Sequence, residues 1–417
     1  MNVKGKIPDI SIDIGRLSSR IDKLAQIGAL DGGGVCRLAL TDDDRRGRDL
    51  VTGWMKDLGL EVRVDRIGNV IGIRSGHQKG APVTIGSHID TVATGGPYDG
   101  NLGVLAGLEV ISVLNDAGIE TTRPVAVGFF TNEEGARFAP DMMGSGVHQG
   151  SMDLEEMLAV EGITGTTVGD DLERIGYAGT EPCGQFRAHS YFELHVEQGP
   201  VLEQESTVIG AVTGVQGISW SEYRLTGVSN HAGTTPMRMR HDAGYVAATI
   251  SVESRRLAKQ MGGDQVATVG VTELKPNLVN VIPNRALLTL DLRNTDEVLL
   301  KQAEAHMEQF ITKTAEAESV DVQSRSLARF APVDFDEQMI ELVYSTAQHL
   351  GHSVRQMPSG AGHDAQMFAA NCPTAMIFVP SVGGISHNIR EFTEQSDIEA
   401  GANVLLQVVL SQAIEED

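Results

Sequence analysis

The chain has 417 residues, of which 41% are hydrophobic, and its formal net charge is −23. This length exceeds what one hydrophobic core usually absorbs, so we expect two domains of an ordinary globular protein. The negative charge argues against binding to nucleic acid phosphates or to an anionic membrane surface. The three cysteines show no Cys-x-x-Cys spacing and the N-terminus lacks an apolar signal segment, which predicts a cytoplasmic protein without disulfides.

Helical and strand patterns alternate through the first half of the chain. Apolar residues recur at helical spacing from Ile14 to Ile27, and Thr41 supplies an N-cap for a helix that runs to about Leu58. Strands are predicted at 60–64, 69–73, 83–85, 125–131, 191–196 and 208–212, with helices over 102–114 and near 154–160. Apart from the helix near 154–160, residues 135–190 are predicted to be irregular. The alternation predicts an α/β domain whose largely parallel sheet is flanked by helices.

The pattern changes after residue 212. Strands are predicted at 218–226, 265–274, 286–292 and 321–327, with helices over 243–260 and 297–317. Two βαβ-like halves in this order predict a ferredoxin-like α+β sandwich. The main domain resumes beyond it, with a buried strand at 374–379. We therefore predict a discontinuous catalytic domain of residues 1–212 and 330–417, interrupted by an inserted domain of residues 213–329.

Polar side chains follow several strands of the predicted parallel sheet. They are His88, Asp99, Glu134, His195 and His387, with Glu133 adjacent to Glu134. Because functional sites of such sheets lie beyond the carboxyl ends of the strands, we expect these side chains to converge. Imidazole nitrogens and carboxylate oxygens are ligands for zinc, manganese, cobalt or nickel, and a shared carboxylate suits a two-metal hydrolytic site.

Each of these residues taken alone also has an ordinary structural explanation. Residues 88–100 could form a turn rich in Asp and Gly, Glu133-Glu134 a solvated acidic turn, and His195 a structural histidine. Two neighbouring carboxylates in an extended segment face different ways, so one can bind a metal while the other takes a proton. Asp90 is predicted to hold the second ring nitrogen of His88, or alternatively to form a turn.

Six motifs in order make the chain similar to a known superfamily. They are GSHIDTV (86–92), GGPYDGNLGV (95–104), TNEEGARF (131–138), HVEQGP (195–200), SNHAGTTPM (229–237) and GISHN (384–388). Together they resemble the dinuclear-metal peptidases and amidases. The closest resemblance is to the hydantoinase/carbamoylase branch, with its N-carbamoyl-L-amino-acid hydrolases, β-ureidopropionases and allantoate amidohydrolases, and it covers nearly the whole chain.

The resemblance implies two divalent metal ions per subunit, either zinc, manganese, cobalt or nickel. Their ligands would be His88, Asp99, Glu134, His195 and His387, with Asp99 bridging, and Glu133 resembles the general base. Peptidase relatives typically have a carboxylate where this chain has His195. A histidine there resembles the carbamoylase branch and favours a carbamoyl or ureido C–N bond over a peptide bond.

The same resemblance assigns residues to the substrate. His231 resembles the family's transition-state donor, and Asn280 and Arg293 resemble substrate-binding residues, the guanidinium being suited to a carboxylate. Without the motifs, His231 and Arg293 would be interpreted as surface side chains. Gln198 and the 360–364 loop, including Gly362 and His363, are expected at the carbamoyl end, although a turn with a helix N-cap explains the loop equally well.

The implied reaction is hydrolysis of α- or β-N-carbamoyl amino acids to amino acid, carbon dioxide and ammonia. The inserted domain is expected to serve as lid and dimerisation domain of a homodimer, with hinges near 213–217 and 328–334. The alternatives are an allantoate amidohydrolase, a metallo-aminoacylase or dipeptidase, and a catalytically silent binding protein. The runs GGPYDGNLG and NEEGARFAPDMM favour the carbamoylases.

Overall fold

The computed structural model describes residues 10–414. Its α-helices are, in chain order, α1 (Ile14–Ala25), α2 (Asp42–Asp57), α3 (Asn101–Asp116), α4 (Met143–Gln149), α5 (Leu154–Leu158), α6 (Val168–Ile175), α7 (Val201–Gln204), α8 (Ala243–Met261), α9 (Glu297–Glu318), α10 (Glu337–His349), α11 (Asp364–Phe368) and α12 (Gln395–Ile414). Its strands are β1 (Glu61–Val64), β2 (Val70–Arg74), β3 (Val83–His88), β4 (Val125–Phe130), β5 (Ser190–Val196), β6 (Ile209–Val215), β7 (Gly217–Thr226), β8 (Val266–Thr268), β9 (Thr272–Lys275), β10 (Arg285–Asn294), β11 (Asp321–Phe330), β12 (Val333–Asp334), β13 (Val354–Ser359) and β14 (Thr374–Val379). In this part of the chain, no helix combines the length and the apolar character that crossing a membrane requires.

The described residues form two compact units. Val215–Val333 make up one of them, which we call the inserted unit, and the residues before and after it make up the main unit. The inserted unit begins and ends a few residues later than the predicted 213–329. Two helices, α4 and α6, lie in the stretch that we predicted to be irregular apart from the helix near 154–160.

The main unit contains a nine-stranded mixed sheet. The strand order is β1-β2-β4-β3-β5-β14-β6-β12, with β13 paired to β6. The neighbouring strands β4, β3, β5 and β14 are parallel, as predicted. The pairs β1–β2, β2–β4 and β6–β14 towards the edges are antiparallel. The parallel register places His88 beside Phe130 and Val196 beside Val379, so the carboxyl ends of these strands share one edge.

Helices cover both faces of the parallel strands. These strands are buried along their whole length, which explains their continuous apolar runs. Side chains alternate across the sheet, and β5 shows the two directions. Leu194 packs against Gly401 of α12, whereas the next residue back, Glu193, accepts a hydrogen bond from the backbone N–H of Ala365 in α11.

A buried arginine connects the N-terminal segment to the site edge of the sheet. The Arg37 side chain is fully buried, and its Nε donates to the carbonyl of Ile89 at 2.8 Å. One terminal nitrogen donates to the carbonyls of Leu24 and Ile27, and the other donates to Oδ1 of Asn101 at 2.7 Å. Burial lowers the pKa of Arg37 to about 10, so the guanidinium stays charged at neutral pH.

We expect Arg37→Met to lower the free energy of unfolding by about 3 kcal/mol or more, because three carbonyls, two of them in buried contacts, and one buried amide oxygen lose their donor. Equilibrium denaturant unfolding measures this change. Arg255→Met is the matched control, since Arg255 is exposed on α8 and its side chain makes no hydrogen bond or ion pair with the described residues. Equal stability of the two variants would show that the Arg37 contacts contribute nothing.

The inserted unit is an antiparallel sheet covered by helices on one face. Its strand order is β11-β7-β10-β8, with β9 pairing a further part of β10. The chain runs strand, helix, strands, helix and strand, which is the ferredoxin-like order. Alternate residues of β10, such as Leu288 and Leu290, pack in a core with residues of α8 and α9. The predicted strand 265–274 is wrong in one respect, since it divides into β8 and β9 around Gly270.

Candidate metal centre

The carboxyl ends of the parallel strands bring histidines and carboxylates together. His88 ends β3, His195 is the penultimate residue of β5, and Glu133 lies in the loop after β4. The loop before α3 adds Asp99, whose side chain is 5% exposed, and His88 and His195 are almost completely buried. A short strand run therefore marks His88, His195 and Glu133 in the sequence, and the parallel sheet makes these positions neighbours.

The five predicted metal ligands form two groups that share Asp99. In the first group, Nε2 of His88 lies 3.6 Å and Nε2 of His195 lies 3.2 Å from Asp99 Oδ1. In the second, Nε2 of His387 lies 3.2 Å from Asp99 Oδ2 and 3.4 Å from Glu134 Oε2. Within each group the potential ligand atoms all lie within 4.8 Å of one another. The structure thus brings together all five residues that were predicted as metal ligands.

Backbone carbonyls orient the two buried histidines. Nδ1 of His88 lies 2.9 Å from the carbonyl oxygen of Asp90, and Nδ1 of His195 lies 2.8 Å from that of Val196. Each ring therefore directs Nε2 towards Asp99. Asp90, which we predicted to hold the second ring nitrogen of His88, contacts it with its backbone carbonyl, whereas its carboxylate lies 4.0 Å from Nδ1. That carboxylate instead accepts from the backbone N–H groups of Glu133 and Glu134, at 3.3 and 3.4 Å.

Gly100 allows the Asp99 loop to approach His88. Its φ is +66°, and a Cβ at this position would lie 2.4 Å from the His88 ring. Both the left-handed backbone and the close approach require glycine. The backbone N–H of Gly100 also donates to Nε2 of His195 at 3.1 Å. The Asp-Gly-Asn run therefore carries the shared carboxylate on a turn that only glycine can form.

Burial and neighbouring negative charges favour protonation of Glu133 and Glu134 in this site. Burial raises the pKa of Glu133 well above its usual range, and the nearby charges of Asp364 and Glu134 add to this. Burial and then the charge of Asp99 raise the pKa of Glu134 to about 8. The hydrogen bond to Asp99 raises the pKa of His387 to about 9 although burial opposes this. A divalent cation would displace these protons and offset the same carboxylate charges.

The donor chemistry fits a divalent transition metal. The two groups offer imidazole nitrogen and carboxylate oxygen, without a thiolate among the residues the structure describes there. Such ligands suit zinc, manganese, cobalt and nickel. Glu133 is the extra carboxylate, and its Oε2 lies 3.3 Å from Nε2 of His88. It stands beside the first group as a buried group able to accept a proton.

Gln198 lies beside the shared carboxylate. Its Nε2 is 2.8 Å from Asp99 Oδ2 and 3.4 Å from Nε2 of His387. Its Oε1 is buried and has no hydrogen-bond partner among residues 10–414. A buried amide oxygen without a donor is costly, so a ligand N–H group at this position would be stabilised.

The other two residues predicted at the carbamoyl end lie next to each other in the main unit. His363 is buried, its ring centroid is 4.5 Å from that of His195, and its Nε2 is 2.8 Å from Oγ of Ser359. Burial lowers the pKa of His363 well below its usual range, and the charge of His195 acts in the same direction. Gly362 lies against the Met142 side chain. His363 is therefore a neutral ring packed on a candidate metal ligand.

Sequence reasoning missed two buried carboxylates near the site, Glu193 and Glu391, and included a third, Asp364, only as part of the 360–364 loop. Glu193 accepts from Oγ of Ser87 at 2.6 Å and from the backbone N–H of Ala365 at 2.9 Å. Burial raises the pKa of Asp364 to about 8 and that of Glu391 to about 7. For Glu193 a signal was present, because it is a carboxylate within the apolar strand YFELHV and on the same face as His195.

The inserted unit contains the predicted residues His231, Asn280 and Arg293. Nδ1 of His231 accepts from the backbone N–H groups of Gly233 and Thr234, at 3.0 and 3.2 Å. The proton of the neutral ring is therefore on Nε2, where it can be donated. The carbonyl of Asn280 accepts from the N–H of Ala232 at 3.0 Å, so Asn280 and His231 lie on paired loops.

Arg293 lies on β10 within a small polar and aromatic cluster. Its Nε and one terminal nitrogen lie 3.1 Å from the carboxylate of Asp291. Its guanidinium carbon stands 5.6 Å from the centroid of the Trp220 ring. The pairing with Asp291 and the stacking on Trp220 both restrict the guanidinium, which reduces the entropy lost when a carboxylate binds.

Comparison with known proteins agrees with this arrangement. The model of peptidase family M20/M25/M40 matches residues 84–411. An N-carbamoyl-L-amino-acid amidohydrolase of Rhizobium meliloti is 42% identical over 403 residues, covering 96% of this chain and 97% of that protein. An allantoate amidohydrolase of Bacillus subtilis is 33% identical over 400 residues, covering 95% and 97%. A crystal structure of a hydantoinase/carbamoylase family amidase from Burkholderia multivorans has a TM-score of 0.95 at 46% identity, covering 98% of this chain and 100% of that one. The chain therefore belongs to peptidase family M20/M25/M40, a family of metal-dependent hydrolases, and within it to the hydantoinase/carbamoylase branch.

Proposed function

We propose that this chain is a metal-dependent amidohydrolase that cleaves the carbamoyl C–N bond of N-carbamoyl amino acids. The observation that carries the proposal is the pair of ligand groups around Asp99, with the buried Glu133 beside them. The relatives named as N-carbamoyl-L-amino-acid amidohydrolases, such as that of Rhizobium meliloti, support the substrate class. The products are an amino acid, carbon dioxide and ammonia.

The proposed cofactor is a pair of divalent ions, drawn from zinc, manganese, cobalt or nickel. His88, Asp99 and His195 would hold one ion, and Asp99, Glu134 and His387 would hold the other. Such ions, when bound, polarise a carbonyl group and lower the pKa of a water molecule. This assignment is supported by the nitrogen and oxygen donors of the site. It is also supported by Asp99, whose two carboxylate oxygens face different ligand groups.

The protein's own side chains provide proton transfer and charge stabilisation. Glu133 takes a proton from the attacking water and passes it to the leaving nitrogen, a role that suits a buried carboxylate beside the first group. Attack at the carbamoyl carbon breaks the bond to the amino-acid nitrogen and releases carbamic acid, which decomposes to carbon dioxide and ammonia. His231 donates from Nε2 to the developing oxyanion.

Gln198 is proposed to recognise the carbamoyl group. Its Nε2 is engaged with Asp99, which leaves the buried Oε1 to accept from the carbamoyl NH₂ group. A carbamoyl substrate has that donor and an N-acetyl substrate has a methyl group instead. An unpaired Oε1 facing a methyl group would cost binding free energy, which favours carbamoyl over acetyl substrates. Gly362 and His363 are proposed to line the same end of the substrate, and Asn280 to bind its other end.

Arg293 is proposed to bind the substrate carboxylate. Arg293→Ala is expected to raise KM for N-carbamoyl amino acids by about 10-fold or more, because a charge-assisted bond is lost. Steady-state kinetics at fixed metal concentration measure the change. Arg285→Ala is the matched control, since Arg285 is an exposed arginine of the same strand. An unchanged KM in Arg293→Ala would remove this residue from the site.

The inserted unit is proposed to act as the lid and dimerisation domain of a homodimer. Exposed apolar side chains on α8 and β8 support an interface there, because Tyr245, Val252 and Val266 are 52%, 70% and 48% exposed. The hinges would lie near residues 213–217 and 328–334. Sedimentation velocity tests the dimer, and a monomer at micromolar concentration would contradict it.

The cytoplasmic location remains a prediction, based on cysteines that are all free.

A substrate panel tests the function. The metal-loaded protein is assayed with N-carbamoyl-L-α-amino acids, N-carbamoyl-β-alanine, allantoate and N-acetyl amino acids, and both ammonia and amino acid are measured. Turnover of a carbamoyl substrate that a chelator abolishes is the expected result, and it also decides between α and β. Turnover of allantoate alone would make the chain an allantoate amidohydrolase. Amino-acid release from acetylated compounds alone would indicate an aminoacylase, and no turnover at all would indicate a binding protein.

A further inference from the structure

A single buried carboxylate connects the two loops that carry Asp99 and His387. Glu391 is 4% exposed and lies between the His387 loop and α12. Its Oε1 accepts from the backbone N–H groups of Tyr98 and Asp99, at 3.0 and 3.1 Å. Its Oε2 lies 3.1 Å from Oγ of Ser386, the residue before His387. One side chain therefore contacts the backbone of the Asp99 loop and the Ser386 side chain of the His387 loop.

Ser386 extends this contact to the shared carboxylate itself. Its Oγ lies 3.2 Å from Asp99 Oδ2, the same oxygen that lies 3.2 Å from Nε2 of His387. The hydroxyl has one proton and two carboxylate neighbours, so it bridges Glu391 and Asp99. Glu391 thus reaches the second ligand group by two routes, through the Asp99 backbone and through the Ser386 hydroxyl.

The sequence of the Asp99 loop is adapted to Glu391. A Cβ at Gly96 would lie 2.3 Å from Oε1 and 2.4 Å from Cβ of Glu391, so any side chain there would displace the carboxylate. Among the described residues, Glu391 also has no cationic partner within ion-pair distance. Burying a carboxylate without a cation lowers the stability of the fold. We therefore interpret Glu391 as a residue that serves to fix the geometry of the two loops.

We propose that Glu391 is a positioning residue that keeps Asp99 and His387 at the separation the second metal ion requires. This inference rests on the proposed function, because it assumes that Asp99, Glu134 and His387 hold a divalent ion. Groups that orient metal ligands typically change metal affinity by about 10–100-fold when they are removed. The first group shares Asp99, but its His88 and His195 are held by backbone carbonyls, so it is expected to lose less affinity than the second.

The test is a Mn²⁺ titration of chelator-treated protein by calorimetry, with electron paramagnetic resonance of the loaded samples. The variants are Glu391→Ala, Glu391→Gln and Ser386→Ala, and Glu399→Ala is the control because Glu399 is exposed on α12. We expect the wild type to bind two ions and to show a spin-coupled pair. In Glu391→Ala one of the two ions should lose affinity about 10–100-fold, and the coupled signal should disappear. Glu391→Gln keeps an acceptor for the two backbone N–H groups, so its loss should be smaller.

The outcomes distinguish this inference from the proposed function. A wild type that binds none of Mn²⁺, Zn²⁺, Co²⁺ and Ni²⁺ would contradict the metal site and with it the proposed function. A wild type with two ions, and a folded Glu391→Ala with unchanged affinity and unchanged coupling, would overturn the role of Glu391 alone. If Glu391→Ala does not fold, the same titration of Ser386→Ala tests the inference. Weakened binding of the second ion supports the inference, and unchanged binding overturns it.

Discussion

Glu133→Gln is expected to lower kcat by about 10³-fold while the protein keeps its full metal content. The amide is nearly the same size as the carboxylate, but it cannot take a proton from water or pass one to the leaving nitrogen. Glu133 lies 3.3 Å from Nε2 of His88, outside the two candidate ligand groups. Its loss should therefore affect the chemistry without removing a metal ligand.

Two measurements on the same preparation decide the role of Glu133. Steady-state ammonia release gives kcat, and elemental analysis after gel filtration gives the metal content per chain. Glu399→Gln is the matched control, because it makes the same chemical change on an exposed turn of α12. A variant that loses metal in proportion to its activity would make Glu133 a ligand rather than the general base.

Asp99→Asn is expected to weaken binding of both metal ions and to reduce turnover to the level of the metal-free protein. Asp99 is the residue common to both groups, and its two oxygens face His195 and His387 at 3.2 Å each. The hydrogen bonds from these histidines outweigh burial and lower the pKa of Asp99 well below its usual range, so it is an anion at neutral pH. Replacing the anion by a neutral amide removes charge from both groups.

Calorimetric titration with Mn²⁺ or Zn²⁺ measures this effect, and we expect affinity to fall more than about 100-fold for both ions. Asp57→Asn, at an exposed position at the end of α2, controls for the chemical change. Loss of only one ion would show that Asp99 belongs to a single group. Unchanged binding of both ions would place the metals elsewhere. Recovery of wild-type activity on adding metal after chelation completes the comparison.

The candidate site was more predictable from the sequence than the structure around it. His88, Glu134 and His195 follow short apolar runs, and parallel strands place such positions at one edge. The atom by which Asp90 contacts His88 depends on the backbone geometry at the end of β3, and residue types do not encode that. Glu391 contacts Asp99 across 292 positions in sequence, and only tertiary structure makes them neighbours.

The errors in secondary structure have similar physical reasons. The start of α6 could have been predicted from the sequence, because Thr167 and Asp170 form a capping box. The glycines around this segment instead favoured an irregular structure. The sequence does not predict the start of α4, because the N-cap residue is Met142, which has a φ of +51° and whose side chain does not cap the helix. Between β8 and β9 the N–H of Val271 donates to the side-chain Oγ1 of Thr289, a contact that residue types alone do not reveal.

The strand order has a consequence for how the chain folds during synthesis. β14, the last strand to be translated, lies between β5 and β6 in the interior of the sheet. Until it emerges from the ribosome, β5 has an open edge that could pair with other chains, and the His387 loop does not yet exist. The inserted unit is continuous in sequence, so its folding does not have to wait for a strand from the end of the chain. A message truncated before residue 374 would therefore yield an aggregation-prone chain rather than a weaker enzyme.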